Sequence, residues 1–294
     1  MEKTQSPSDV WSEWVLKRRY GKDSKEHEEV LAFLTPIRDR VLTGAEIVQG
    51  DTVLDVGCGD GLLAFAALGQ TKPSGQVIFS DISPALLEVC QKIAEGLDAT
   101  EQCTFIETRA CDLQSIPDVS VDAVVLRSVL IYEEDKAQAF REFHRVLRPG
   151  GRLSFFEPIN SFDHEPDESG RMFLGYKVPE IASLAAKVQA VYDVSTPIPM
   201  INFDERDLLR FALDAGFVEI SLDYEARIEV KPPFSWETLI HHAPNPKAAT
   251  LNEVLDRVLT HSEKERFVAV LRPLVEQGGG RLAHAEVYCR ARKH

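Results

Sequence analysis

The segment "VLDVGCGDGLL", residues 53–63, places Gly57, Gly59 and Gly61 directly behind an apolar run. Glycine permits a tight turn there and lets a ligand come close to the backbone. Asp81 follows twenty residues after Gly61. A carboxylate at the end of the next strand can accept hydrogen bonds from both hydroxyls of a ribose. Together these residues describe a nucleotide site. The glycine spacing is G-x-G-x-G, whereas a dinucleotide turn reads G-x-G-x-x-G. Asp55 and Asp60 in and beside the loop would repel a pyrophosphate at a helix N-terminus. They suit a ligand that carries an ammonium and a sulfonium, as S-adenosylmethionine does.

The elements around this loop alternate in a way that positions it. Strands are expected at "TVLDVG", "QVIFSD", "CTFIET", "DAVVLR" and "GRLSFFE", with helical patterns between them, the signature of βαβ units and a parallel sheet. Ser83 caps one helix with Pro84 at its first position, and Leu87, Cys90, Ala94 and Leu97 share a face. A second helix is expected over about 135–147, with Phe140, Phe143 and Leu147 as its stripe, stopped by "RPGG". Before the sheet, Val30, Phe33, Leu34, Ile37 and Val41 keep helical spacing, with a restart expected at Thr35-Pro36 and an end at Gly44.

After Glu157 the character changes. "PINSFDHEPDESG" reads as a loop. Ile181, Leu184, Ala185, Val188 and Val191 mark an amphipathic helix. Asp204 starts another helix, with Asp207 three positions on, and Gly216 closes it. A long strand is expected over 217–230 and a last one over about 281–291. Between them, two or three short helices span Trp236 to about Glu276, one opening with the capping-box pattern "SEKE". The expected organisation is a single α/β domain over 1–294. It has an N-terminal helical attachment (9–43), a ligand-binding core (44–160) and a substrate lid (161–200). The rest (201–294) holds further strands, with a helical insertion at about 235–277.

Composition narrows the function classes. The 294 residues carry a formal net charge of −14, which repels nucleic-acid phosphate and anionic membrane surfaces. The short basic run "KRRYGK" does not offset it. No apolar run reaches membrane-spanning length and the N-terminus carries no secretion pattern, so a cytoplasmic protein is expected. Five cysteines without a C-x-x-C pair favour reduced thiols. No metal is expected, because the adjacent His241 and His242 cannot converge on one ion from a helix. Residues 160–225 are rich in Asp and Glu. If they lined a lid they would attract an amine acceptor, and a solvated surface is the favoured reading.

Four motifs in order resemble the class I S-adenosylmethionine-dependent methyltransferases, over roughly residues 50–157. "VLDVGCGDG" resembles the first motif, implying cofactor contacts from Asp55, Gly57, Cys58, Gly59 and Gly61. "VIFSDIS" resembles the ribose-binding strand end, with Asp81 and Ile82. "ACDLQSIP" resembles the adenine segment, implying Cys111, Asp112 and Leu113, with Asp112 on the exocyclic amine. "VDAVVLRSVLIY" resembles the fourth strand and its loop, where Arg127 and Ser128 would border the methionine part. "FHRVLRPGGRLSFFEP" resembles the following helix, turn and fifth strand of the small-molecule branch. The resemblance implies a Rossmann-like doubly wound sheet of seven strands, the last antiparallel. It also implies the product S-adenosylhomocysteine.

Methyl transfer from a sulfonium needs alignment and dryness more than a fixed catalytic triplet. A base is needed only if the acceptor must lose a proton. Glu157, His164 and Tyr132 are the candidates for handling the acceptor, because ligands bind at the carboxyl ends of strands in open α/β sheets. Asn160 follows Glu157 in the same loop. Trp11, Trp14 and Tyr20 are candidates for closing over the cofactor, Tyr20 foremost. The expected function is methyl transfer to O, N or C of a small metabolite by a monomer or homodimer. The competing classes are a protein or nucleic-acid methyltransferase and a non-catalytic cofactor-binding module. Against the nucleic-acid class, "RSVL" stands after the fourth strand in place of an "NPPY"-type tetrad.

Overall fold

In the computed structural model, the described residues are 9–18, 24–163, 171–195 and 198–294. The sheet is built from β1 (Thr52–Val56), β2 (Gln76–Asp81), β3 (Cys103–Glu107), β4 (Val121–Arg127), β5 (Leu147–Pro158), β8 (Phe217–Val230) and β9 (Arg281–Lys293). They hydrogen-bond in the order β3-β2-β1-β4-β5-β9-β8. The pairs among β1 to β5 are parallel, and β9 runs antiparallel to both neighbours. This is the doubly wound seven-stranded architecture expected from the motifs. The order reverses direction at β1 and β4, and a crevice opens at their carboxyl ends, where such sheets take ligands.

Side chains alternate between the two faces, so each face acquires its own core. On one face Val53, Val77, Phe79 and Val125 pack against α2 (Ser24–Gly44), α3 (Leu62–Thr71) and α4 (Pro84–Gly96). On the other, Leu54, Val124, Leu153 and Phe155 pack against α5 (Lys136–Val146) and α7 (Glu205–Asp214). α4 opens as anticipated, with the Ser83 hydroxyl accepting from Leu86 N at 3.1 Å and Pro84 in the first turn. α7 opens on a capping box between Asp204 and Asp207.

Three local features differ from the sequence expectation. α2 does not restart at Pro36 but runs through it. The proline forfeits one backbone hydrogen bond, and burial of Leu34, Ile37, Val41 and Leu42 holds the helix together. α10 (His261–Gln277) is capped by Thr260 with Glu263, not by Ser262. The segment before α6 (Ala182–Ser195) holds a two-residue hairpin, β6 (Met172–Phe173) and β7 (Tyr176–Lys177). Its turn places Leu174 at φ 49° and Gly175 at φ 80°. Two-residue hairpin turns need such values, and Asn-Gly is their usual signal, which this sequence lacks.

The hairpin and α6 do not stand alone. Phe173, Ile181 and Val188 form one buried cluster with Trp236, Leu255 and Phe267. Those partners come from α8 (Trp236–His241), α9 (Leu251–Val258) and α10. The two decorations, expected separately, thus share a satellite core. Near the start of the chain, α1 (Val10–Glu13) continues as a π-turn over Trp14–Arg18. Among the described residues no helix is long and apolar enough to cross a membrane.

Candidate cofactor and acceptor site

The glycine loop at the end of β1 is shaped by positive φ. Gly57, Gly59 and Gly61 adopt 64°, 57° and 90°. A Cβ on Gly57 would stand 2.5 Å from a Val129 methyl, whereas one on Gly59 would meet no atom within 4 Å. Gly59 thus presents an open glycine cradle to the cavity. Asp55, almost wholly buried, accepts from Ala64 N at 2.9 Å and so joins β1 to the first turn of α3. Burial pushes its carboxyl well above the usual range, against the pull of that bond. Cys58 and Cys90 lie beneath the loop, and the Cys90 thiol donates to the Gly59 carbonyl at 3.4 Å. The hydrogen bond between the two thiols, then burial, raises Cys58 well above its ordinary value, which makes it a poor nucleophile.

Asp81, 7% exposed, ends β2 beside this loop. One carboxylate oxygen accepts from Gly59 N and the other from Ser83 N, each at 2.9 Å. Each oxygen keeps a second lone pair for a ligand hydroxyl. Burial raises the carboxyl, against those bonds and with some repulsion from Asp9. A buried diacceptor beside an open glycine cradle fits the ribose end of S-adenosylmethionine.

The wall opposite comes from the loop after β4. Arg127 and Ser128 line the cavity, and Ser128 is held at φ 55° with its N–H on the Phe156 carbonyl at 2.9 Å. Non-glycine residues adopt such angles where the surroundings over-determine them, commonly at functional sites. Ile131 and Tyr132 continue the wall. Glu157 does not line the cavity. It lies behind the wall, wholly buried, and accepts from Val129 N at 2.7 Å, Leu130 N at 2.8 Å and Ile131 N at 3.3 Å. The residue expected to handle the acceptor is thus an anchor of the loop that does face it.

Two segments cover the crevice. Trp11, Trp14 and Val15 come from the N-terminal strap, and His242, Pro244 and Lys247 from the insertion after α8. The strap is pinned at both ends. The Ser83 hydroxyl donates to the Asp9 carboxylate at 2.6 Å, and the Trp14 indole N–H donates to the Ala243 carbonyl at 2.8 Å. The Trp11 and Tyr132 rings meet edge-on at 4.9 Å. The cavity volume is about 550 Å³, within the usual range for small-ligand sites. Trp14→Ala is expected to undock the strap, since truncating a buried tryptophan costs about 3–5 kcal/mol. Hydrogen exchange over residues 10–18 should then accelerate while β1 and β4 stay protected. Unchanged exchange would show that the strap is held elsewhere.

Of the residues expected at the site, Asp55, Gly57, Cys58, Gly59, Asp81 and Ile82 line the cavity, as do Arg127, Ser128 and Tyr132. Gly61 stands just behind it, packed on Phe65 and Cys90. The adenine segment is placed differently. Thr108, Arg109 and Ala110 face the cavity, whereas Cys111, Asp112 and Leu113 are not among its lining residues. Asp112 is exposed and Leu113 is in the core, its N–H on Glu142 at 2.8 Å. Tyr20 and His164 lie outside the described residues. Asn160, Met200, Glu133 and Lys247 also line the cavity. Asn160 was in view only as a loop residue three positions past Glu157, and the other three follow from no motif. Met200 and Lys247 arrive from segments that only tertiary packing brings here. Among the described residues, no cluster of three or more His, Cys, Asp or Glu could hold a metal.

Comparison with known proteins agrees with this geometry. Residues 54–155 match the family model described as a methyltransferase domain. An uncharacterised 37.1 kDa protein in a Streptomyces fradiae transposon is 34% identical over 179 residues, 60% of this chain and 46% of that protein. An arsenite methyltransferase of Halobacterium salinarum is 31% identical over 119 residues, 40% of this chain and 29% of its own length. The chain thus spans less than half of either relative. A geranyl diphosphate methyltransferase solved in complex with SAM shares the fold, with a TM-score of 0.52 at 19% identity, covering 92% of each chain. The matched segment contains the glycine loop, Asp81 and the β4 wall. Residues 54–155, which build the cofactor side of this site, are thus similar to a methyltransferase domain.

Proposed function

We propose that this protein transfers a methyl group from S-adenosylmethionine to O, N or C of a small metabolite. The observation that carries the reading is the buried Asp81 carboxylate beside the open Gly59 cradle, inside a cavity bordered by the strap and the insertion. When bound, the cofactor supplies an activated methyl on a sulfonium, open to in-line displacement. The protein's share is to bind, to align and to exclude water.

Asp81 receives the ribose hydroxyls. Ile82 and the stretch 108–110 border the adenine, taking the place expected for Asp112. Arg109 is paired with Glu133 at 3.2 Å, whereas Arg127 forms no ion pair among the described residues and is left for the methionyl carboxylate. Trp11, Tyr132 and Met200 enclose the acceptor end, and His242 and Lys247 supply its polar edge. A volume of about 550 Å³ shared with the cofactor leaves room for a small acceptor. The net charge of −14 supports a metabolite over nucleic acid.

Incubation with a methyl-labelled donor and a cell extract tests this. Label should enter the small-molecule fraction. Label confined to the protein or nucleic-acid fraction would overturn the acceptor class. A blank result beside intact cofactor binding would favour a non-catalytic module.

A further inference from the structure

The loop 128–133 forms one wall of the cavity, and two buried opposite charges hold it from behind. Glu157 accepts the successive N–H groups of Val129, Leu130 and Ile131 at 2.7, 2.8 and 3.3 Å. Lys136, 4% exposed in the first turn of α5, takes the other end of the loop. Its ammonium donates to the Glu133 carbonyl at 2.9 Å. It also reaches the Pro199 carbonyl at 2.9 Å and Asn202 Oδ1 at 3.2 Å, residues that flank Met200 of the cavity wall. The Phe203 ring lies 4.6 Å beneath it. Buried charges are a poor way to gain stability, since well-packed apolar residues of similar shape often serve as well or better. Here they hold the wall against which the ligand must lie.

We infer that Glu157 and Lys136 are positioning residues, which together set the 128–133 wall and Met200 in the shape that binds the cofactor. The inference rests on the proposed function for the identity of that cofactor. An ionised carboxylate serves the three backbone N–H groups best, because protonation turns one oxygen into a donor and weakens both as acceptors.

Burial raises the Glu157 carboxyl to about 7, against the pull of the three N–H groups and of Lys136. Burial also pushes Lys136 down, while Glu157, Glu133 and Asp207 pull it up. These are the charged groups that face the pair: Lys136 from α5, Glu133 from the loop and Asp207 from α7. The sign for stability follows from the raised folded value. Between the ordinary carboxyl value and about 7 the folded protein holds the extra proton, so stability falls as pH rises through that window. Wall formation runs the other way, complete only above about 7.

Calorimetry with S-adenosylhomocysteine from pH 6 to 8, together with hydrogen exchange at residues 129–131 in the free protein, tests the assignment. Wild-type affinity should rise about tenfold over that range, following the ionised fraction. Glu157→Gln should bind more weakly at pH 8 and lose this rise, which titration of Asp81 alone would preserve. Lys136→Met should shift the midpoint to higher pH. After correction for intrinsic rates, the 129–131 amides should gain protection between pH 6 and 8 in wild type and not in Glu157→Gln. An unaltered pH profile in Glu157→Gln, or equal wild-type protection at both pH values, would overturn the inference. Absence of binding at every pH in wild type would instead defeat the proposed function, and the exchange data would still decide the role of Glu157.

Discussion

Asp81→Ala is expected to weaken S-adenosylhomocysteine binding by about 1–3 kcal/mol, roughly 5- to 150-fold, from ligand hydroxyls left without an acceptor. The substitution also strips Gly59 N–H and Ser83 N–H of their 2.9 Å partner. Part of the loss therefore reflects a loosened glycine loop. Asp81→Asn separates the two contributions. Its carbonyl oxygen can still accept from one of those amides, so the loop should hold better and binding should fall less than in the alanine variant. Calorimetry gives the affinities, and thermal unfolding shows whether each variant remains folded. Unchanged affinity in a folded Asp81→Ala variant would place the ribose elsewhere.

Gly57→Ala is expected to lower stability by about 2–5 kcal/mol, from two costs that add. An L-residue at φ 64° costs about 1–2 kcal/mol. The new Cβ would also stand 2.5 Å from a Val129 methyl, and overpacking of that kind costs about 1–3 kcal/mol. Val129 cannot easily retreat, because its N–H is fixed on Glu157 at 2.7 Å. Gly59→Ala is the control. It carries similar backbone strain at φ 57° but meets no protein atom within 4 Å. It should lose less stability, while its methyl group intrudes into the cradle and weakens cofactor binding. Chemical denaturation and calorimetry on both variants check the contrast. Equal stability losses would mean that the contact with Val129 relaxes freely.

Much of the core was legible because short-range signals there agree with the tertiary outcome. The glycine loop, the Ser83-Pro84 helix start, the Asp204 cap and the long 217–230 strand each carry a local physical signature. The wall and the cover were less legible. Glu157 reads as a strand-end carboxylate free for chemistry, and only the fold turns it back onto the Val129–Ile131 amides. Asp112 sits in the expected segment, yet the turn around it leaves Thr108–Ala110 facing the cavity. His242, Pro244 and Lys247 belong to an insertion whose position depends on its shared core with α6 and the β6–β7 hairpin. No periodicity or spacing encodes that docking. Trp14 was a candidate for closing over the cofactor, and the structure sets it at the edge of the cavity. It is buried, bonded to Ala243, and part of the cavity lining.

The central claim is that this cavity is built for an adenosyl sulfonium rather than for a pyrophosphate-bearing nucleotide. Paired calorimetric titrations with S-adenosylmethionine and with a nicotinamide dinucleotide test it most directly. S-adenosylmethionine should bind saturably and one-to-one, roughly 5- to 150-fold more weakly in Asp81→Ala, and the dinucleotide should give no measurable heat. Dinucleotide binding, or no S-adenosylmethionine binding up to millimolar concentration, would contradict it.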